Sequence, residues 1–322
     1  MKPPTTARLL HTFSPLLRHT KLSQSSRLFH TTGHALSHEN PLGLPTKGVP
    51  PKFSRGLPQK RPIPSVSHII AISSAKGGVG KSTLSANIAL AFSRLGYTTG
   101  LLDTDLYGPS IPTLFNLTNH APSLSPSGAL IPLTNYGIKT MSIGYLSPDE
   151  DSPIVWRGPM LLKAIQQLLH SVQWGPPKLD ILVLDLPPGT GDIQLSITQQ
   201  IPLDGAVVVT TPHTLAVKDA IKGVNMFDKV EVPVLGLIQN MSVFCCPNCE
   251  TQTAVFGGTE GVKTMCAEKR LEFLGDVPLH PSIGEDGSRG KPTVVAEPES
   301  VRAKVFMDVA RRLAEKIGLG NQ

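Results

Sequence analysis

The sequence predicts an α/β fold in which a mostly parallel sheet is doubly wound by helices, and three observations predict it. Short β-branched apolar runs alternate with helically spaced segments, a Gly-rich turn joins the first run to the first helix, and acidic residues stand at the ends of later runs. Runs that stay apolar without alternation are what strands covered on both faces require. In such sheets ligands sit at the carboxyl ends of the strands.

The elements follow in order. His68–Ile72 reads as the first strand. Over Ser82–Leu95 the residues Leu84, Ile88, Ala91, Phe92 and Leu95 fall on one side of a helix. Thr98–Leu102 reads as a second strand ending at Asp103. Further strands are expected at Ile138–Ile143, Leu179–Leu184, Ala206–Val209 and Val232–Ile238. Helices are expected at Met160–Val172, Asp192–Gln200, Leu215–Phe227 and Glu299–Ile317. The last shows Val301, Val305, Phe306, Val309, Leu313 and Ile317 beside Arg311 and Arg312; it reads as core-packing, with peripheral membrane contact as the rival. No period repeats, so one domain over residues 65–318 accounts for this part.

Charge divides the chain. The whole carries +6 over 322 residues, but residues 1–64 hold ten Lys/Arg against Glu39 alone. The remaining 20 basic residues face 23 acids, so the body is at −3 and argues against a nucleic-acid partner. Residues 1–38 are basic, rich in Ser and Thr, and free of Asp and Glu. That composition predicts a mitochondrial transit peptide and a matrix location. Residues 39–64 hold seven prolines and read as an extended linker. No run of 18 apolar residues occurs, so no transmembrane segment is expected. Four cysteines do not make a disulfide scaffold.

The turn after the first strand reads Ser73-Ser74-Ala75-Lys76-Gly77-Gly78-Val79-Gly80-Lys81-Ser82-Thr83. The standard phosphate loop needs a leading Gly where Ala75 stands, but Gly80, Lys81 and Ser82 match its end. Gly77, Gly78 and Gly80 let the backbone turn its N–H groups inward as an anion nest, with Val79 between them, and the helix start adds positive potential. Lys81 then reaches the β- and γ-phosphates, Ser82 ligates magnesium and Thr83 bonds the α-phosphate of ATP.

Lys76 through Thr83 resembles the deviant Walker A of a group of dimeric ATPases (the SIMIBI type of P-loop NTPase). That group includes nitrogenase iron protein, partition and division ATPases, and iron–sulfur carriers. The resemblance implies that Lys76 crosses a homodimer interface to the partner's nucleotide, as an added cation at the γ-phosphate. It also implies that Asp105, in Asp103-Thr104-Asp105, positions the attacking water while Asp103 supports the magnesium shell. Leu182-Val183-Leu184-Asp185 reads as a Walker B strand with Asp185 at magnesium, directly or through water. In Pro187-Pro188-Gly189-Thr190-Gly191-Asp192, Gly189 offers its N–H to the γ-phosphate and Asp192 reads as a helix cap. Gln239-Asn240-Met241 closes a later strand, and Asn240 offers a donor and an acceptor to an adenine edge.

Cys246-Pro247-Asn248-Cys249 is a CxxC preceded by Cys245; the only other cysteine is Cys266. Two thiolates do not complete a four-ligand site, but a symmetric dimer brings four to its axis. That arithmetic suits a bridging [4Fe–4S] cluster, with zinc as the rival. Cys245 reads either as a small apolar residue or as an alternative ligand. Asn240-Met241-Ser242, the CxxC, Val255-Phe256-Gly257-Gly258, Leu106-Tyr107-Gly108-Pro109-Ser110 and Trp156-Arg157-Gly158-Pro159 resemble the Mrp/nucleotide-binding-protein family of iron–sulfur carriers. The resemblance spans about residues 65–318. Cytosolic scaffold members carry an N-terminal Cys cluster, whereas residues 1–244 here hold no cysteine. With the leader, the resemblance points to the mitochondrial member that serves respiratory complex I assembly. It implies slow ATP hydrolysis used as a switch, and delivery of the cluster to apo iron–sulfur proteins. A surface-organising ATPase like the partition relatives is the alternative.

Overall fold

The computed structural model describes residues 60–146, 158–249, 251–258 and 260–319. Residues 1–38, read above as a transit peptide, most of residues 39–64, and Trp156 and Arg157 lie outside the described residues. The sheet is built from β1 (Val66–Ser73), β2 (Thr99–Asp103), β3 (Leu133–Asn135), β4 (Ile138–Ser142), β5 (Leu179–Asp185), β6 (Gly205–Thr210), β7 (Val234–Cys245), β8 (Gln252–Thr253) and β9 (Phe273–Leu279). Its order is β3-β4-β2-β5-β1-β6-β7-β8, with β9 also paired to β7. β1, β2, β4, β5, β6, β7 and β9 run parallel; β3 against β4 and β8 against β7 are antiparallel. The doubly wound, mostly parallel α/β fold expected from the sequence is what forms.

The central strands are buried on both faces: Ile70, Ala71, Leu101, Leu102, Leu182 and Leu184 are all at 0% exposure. Losing one such Leu to Ala would cost about 2–5 kcal/mol. The helices that cover them are α1 (Lys81–Arg94), α2 (Ile111–Leu114), α3 (Gly158–His170), α4 (Asp192–Gln200), α5 (Thr214–Lys229), α6 (Glu260–Lys269), α7 (Pro281–Ser288), α8 (Thr293–Ala296) and α9 (Val301–Lys316). α9 buries Phe306, Val309, Ala310 and Leu313, so its apolar stripe faces the core. No helix among the described residues is long and apolar enough to cross a membrane.

Three expectations change. The strand read as ending at Ile238, with Gln239–Met241 closing it, continues to Cys245. The end of the presumed linker is part of the domain: Ile63 is buried and the Arg61 N–H donates to the Gln200 carbonyl at 2.7 Å. Asp192 is the first residue of α4 rather than its cap; Gly191 stands at the cap position without a side-chain bond. Asp192 can favour α4 only through its charge beside the helix N-terminus.

Candidate functional site

The sheet brings the sequence motifs to one edge. β1 lies between β5 and β6, and the chain reverses direction of travel across the sheet around it. The crevice at such a switch point is where doubly wound sheets bind ligands. The loop between β1 and α1 turns through Gly78 and Gly80 at φ +78° and +81°, which a residue with a Cβ adopts only under strain. A Cβ on Gly80 would also stand 2.3 Å from Asn240 Nδ2. Ala75 occupies the usual leading-Gly position and faces Gly223 of α5, where even an added Cβ would stand at an ordinary contact distance of 3.6 Å.

Asp185, at 0% exposure, gathers the loop's polar groups. Its Oδ1 accepts from Lys81 Nζ at 2.8 Å and from Ser85 Oγ at 2.7 Å, and its Oδ2 accepts from Ser82 Oγ at 2.6 Å. This buried carboxylate is therefore paired and hydrogen-bonded, the condition under which such a charge is tolerated. Asp103 stands opposite it in the β2–β5 ladder. Burial first, and then the Asp185 charge, push the Asp103 carboxyl up to about 7, against the pull of Lys81. Its oxygens accept from the Asp105 N–H (3.0 Å), Ser142 Oγ (3.0 Å) and the Ile111 N–H (3.4 Å). Asp103 thus fastens the segment that carries Asp105. Asp105 Oδ1 accepts from the N–H groups of Tyr107 and Gly108, each at 3.3 Å.

A cleft of ≈ 630 Å³ opens over the loop, within the range of small-ligand sites. Lys81, Ser82, Thr83 and Asp105 line one side, and Ile283, Gly284 and Gly287 of α7 the other. The donors around Ser82 are carboxylate and hydroxyl oxygens, the hard set magnesium takes. Asn240 Nδ2 donates to the Val79 carbonyl at 2.8 Å, which ties the adenine-reading candidate to the loop. The Gly189 N–H donates to the Ser74 carbonyl at 2.8 Å, so it reaches a γ-phosphate only once that bond opens. Lys76 is exposed at the loop's tip. Its charge, after the Lys222 hydrogen bond, helps hold the Asp219 carboxyl of α5 below its ordinary value.

The thiols occupy the turn between β7 and β8. Phe244 pairs with Thr253 and Cys245 with Gln252, and the Cys246 N–H donates to the Thr251 carbonyl at 3.1 Å. Cys249 is exposed, and its thiol lies 3.3 Å from the Thr251 hydroxyl. Hydrogen bonds from Thr251, and then from Cys246, hold the Cys249 thiol below its ordinary range. Thiolate is the form that binds metal. Cys266 is buried in α6, where burial pushes its thiol up to about 11. Cys245 and Cys246 open onto a second cleft of ≈ 640 Å³, shared with Asp276, His280 and Arg302. Among the described residues, no group of three or more His, Cys, Asp or Glu side chains could hold a metal ion. The described residues of one chain therefore offer the CxxC pair without a third such side chain placed to hold a metal with it.

Ser85, Ser142, Thr251 and the α7 wall were not singled out from the sequence. Ser85 lies one helical turn after Lys81, a signal that was available. Ser142 meets Asp103 only because β4 pairs with β2, which spacing along the chain does not reveal.

The family model described as NUBPL iron-transfer P-loop NTPase matches residues 65–314. The chain is 50% identical over 267 residues to the iron–sulfur cluster transfer protein NUBPL of Mus musculus, covering 82% of each. It is 46% identical over 251 residues to the mitochondrial iron–sulfur protein required for NADH dehydrogenase of Arabidopsis thaliana, covering 78% of this chain and 79% of that one. The solved nucleotide-binding protein of Archaeoglobus fulgidus in complex with ADP superposes with a TM-score of 0.62 at 34% identity, over 75% of this chain and 93% of the other.

Proposed function

From the premise that the chain belongs to the NUBPL family of iron-transfer P-loop NTPases, we propose that it is an ATP-switched iron–sulfur cluster carrier. Its cargo is a [4Fe–4S] cluster held between two copies of the chain by Cys246 and Cys249 of each. The observation that carries this reading is that one strand, β7, bears the loop-bound Asn240 and ends in the exposed thiol hairpin. The relatives from mouse and Arabidopsis, named for cluster transfer and for NADH dehydrogenase, support delivery to apo iron–sulfur proteins and to complex I subunits. A cluster held by two thiolates per chain at an interface is easily released, which suits a donor.

The nucleotide part follows from the residues. The loop's N–H groups and Lys81 receive the phosphates, and Lys81 exchanges Asp185 for them as the nucleotide enters. Ser82, with Asp185 and Asp103 behind it, would hold magnesium, which neutralises charge on the phosphate oxygens. Asp105 is fastened through Oδ1, which leaves Oδ2 to orient the attacking water. Lys76, free at the loop's tip, adds a second cation from the partner chain. The homodimer is supported by apolar surface beside the hairpin: Val255 (55% exposed) and Phe256 (36%) lead to Gly257, which lies against the Pro212 carbonyl just before the exposed Leu215. The acid-free leader and the mitochondrial Arabidopsis relative support a matrix location. Deleting residues 1–38 should abolish import into isolated mitochondria.

Anaerobic purification with iron, sulfide and zinc analysis and electronic spectra tests the cargo. Iron and sulfide in equal amounts with a charge-transfer spectrum support the carrier. Stoichiometric zinc without iron would replace it with a structural clasp.

A further inference from the structure

β7 carries two chemistries on one strand, and the backbone between them is not regular. Met241, directly after Asn240, adopts φ +54°, a left-handed conformation that is unfavourable for a residue with a Cβ. The pairing with β9 slips at the same place. Asn240 opposes Val277 and Phe244 opposes Leu279, so four steps of β7 run beside two of β9. This is a bulge, and bulges re-aim the residues that follow.

The bulge is gripped from both sides. Toward the phosphate loop, Asn240 Nδ2 holds the Val79 carbonyl, and Met241 Cε lies 3.8 Å from where a Gly80 Cβ would stand. Toward β9, Gln239 Nε2 donates to Asp276 Oδ1 at 2.7 Å and Ser242 Oγ to the Val277 carbonyl at 3.2 Å. Gln239 is fully buried and its Oε1 has no partner, so Asp276 is the acceptor that fixes its amide. Asp276 lines the second cleft together with Cys246. A continuous set of contacts therefore runs from the Val79 carbonyl through Asn240, Met241 and Gln239 to the wall that Cys246 faces.

We propose that residues 239–242 form a lever through which nucleotide in the phosphate loop re-sets the environment of the CxxC thiols, with Met241 as its pivot and the Gln239–Asp276 pair as its anchor. The proposal rests on the nucleotide site assigned above. A loop that turns its N–H groups onto phosphate carries the Val79 carbonyl with it. Asn240 follows, and the strained kink has a second backbone conformation into which it relaxes. The strand beyond it ends at Cys245, directly before Cys246.

The test uses the full chain without cluster, so that it does not depend on cargo. Alkylation of Cys246 and Cys249 by iodoacetamide is followed by peptide mass spectrometry with and without Mg·ATP or Mg·ADP, and calorimetry on the same samples gives the nucleotide Kd. In the parent, saturating nucleotide should change the Cys246 rate by about fivefold or more. Met241→Gly, which frees the pivot, should reduce that response below about twofold while the Kd stays within about threefold. Asp276→Ala should reduce it likewise, and Asp276→Asn, which keeps an acceptor for Gln239, should restore it. Thiol rates indifferent to bound nucleotide in the parent, or a full response in both Met241→Gly and Asp276→Ala, would overturn the lever. Absence of nucleotide binding would overturn both the lever and the site assignment beneath it.

Discussion

The phosphate loop follows β1 and the thiol hairpin ends β7, with β6 between the two strands in one sheet, yet they are built in opposite ways. The loop is closed on itself. Asp185 is buried and already has three donors, Lys81 is 6% exposed, and Asp103 fastens the segment bearing Asp105. The hairpin is open: Cys249 is exposed, Cys246 half-buried, and the third nearby thiol, Cys245, faces a cleft. The loop's polar groups are already paired with one another within one chain. Under the proposed dimer, the hairpin supplies two of four cluster ligands and the second copy supplies the other two.

Substitutions that treat the two regions separately sharpen this contrast. The largest effect is expected at the hairpin. Cys246→Ser or Cys249→Ser should each remove nearly all bound iron, because a protonated hydroxyl replaces soft thiolate and each change deletes two of four ligands across a symmetric dimer. Iron retained at half the parent level in either variant would break the shared-site account. At the loop, Asp105→Ala should keep ATP binding and lower turnover by about 100-fold or more. Lys81→Ala should instead weaken binding, by a charge-assisted contact worth about 1.5–3 kcal/mol, which is roughly 10- to 100-fold in Kd. Parent-like binding and turnover in both variants would remove the phosphate-site assignment.

Smaller effects probe the electrostatics of each region. Asp103 is held near 7 against an ordinary 3.8, so the folded chain favours its protonated form. That contribution to stability is complete below about 3.8 and is lost as pH rises through about 7. In metal- and nucleotide-free protein, Asp103→Asn should therefore gain thermal stability relative to the parent between pH 5 and pH 8. A constant difference across that range would contradict the raised carboxyl. At the hairpin, Cys249 should alkylate far faster than Cys266 near neutral pH, since one thiol is exposed and held down while the other is buried and pushed up. The smallest change is expected from Cys245→Ser, which alters a cleft wall and leaves the CxxC intact; loss of iron there would make Cys245 a ligand.

The same contrast explains what the sequence revealed. The loop was legible because its residues are contiguous and its strands are buried on both faces, as the uninterrupted apolar runs of β1, β2, β5 and β6 show. Elements stabilised by tertiary contacts were missed. β7 continues past Gln239 through a left-handed Met241, which no periodicity signals. β9 contains Gly275, Asp276 and Pro278, poor strand formers held in place by pairing with β7. α7 includes Gly284 and Gly287, poor helix formers, yet it walls the nucleotide cleft. The CxxC was visible as a motif, but its place at the end of the Asn240 strand came only from the fold.

The central claim is that two chains share one cluster. It is tested most directly by counting iron and sulfide per chain in anaerobically purified protein while its mass is followed by sedimentation, before and after chelation of the iron. The account predicts about four iron atoms per two chains in a dimer that loses mass to monomer once the cluster is removed. Four iron atoms on a single chain, in a particle whose mass ignores chelation, would contradict it.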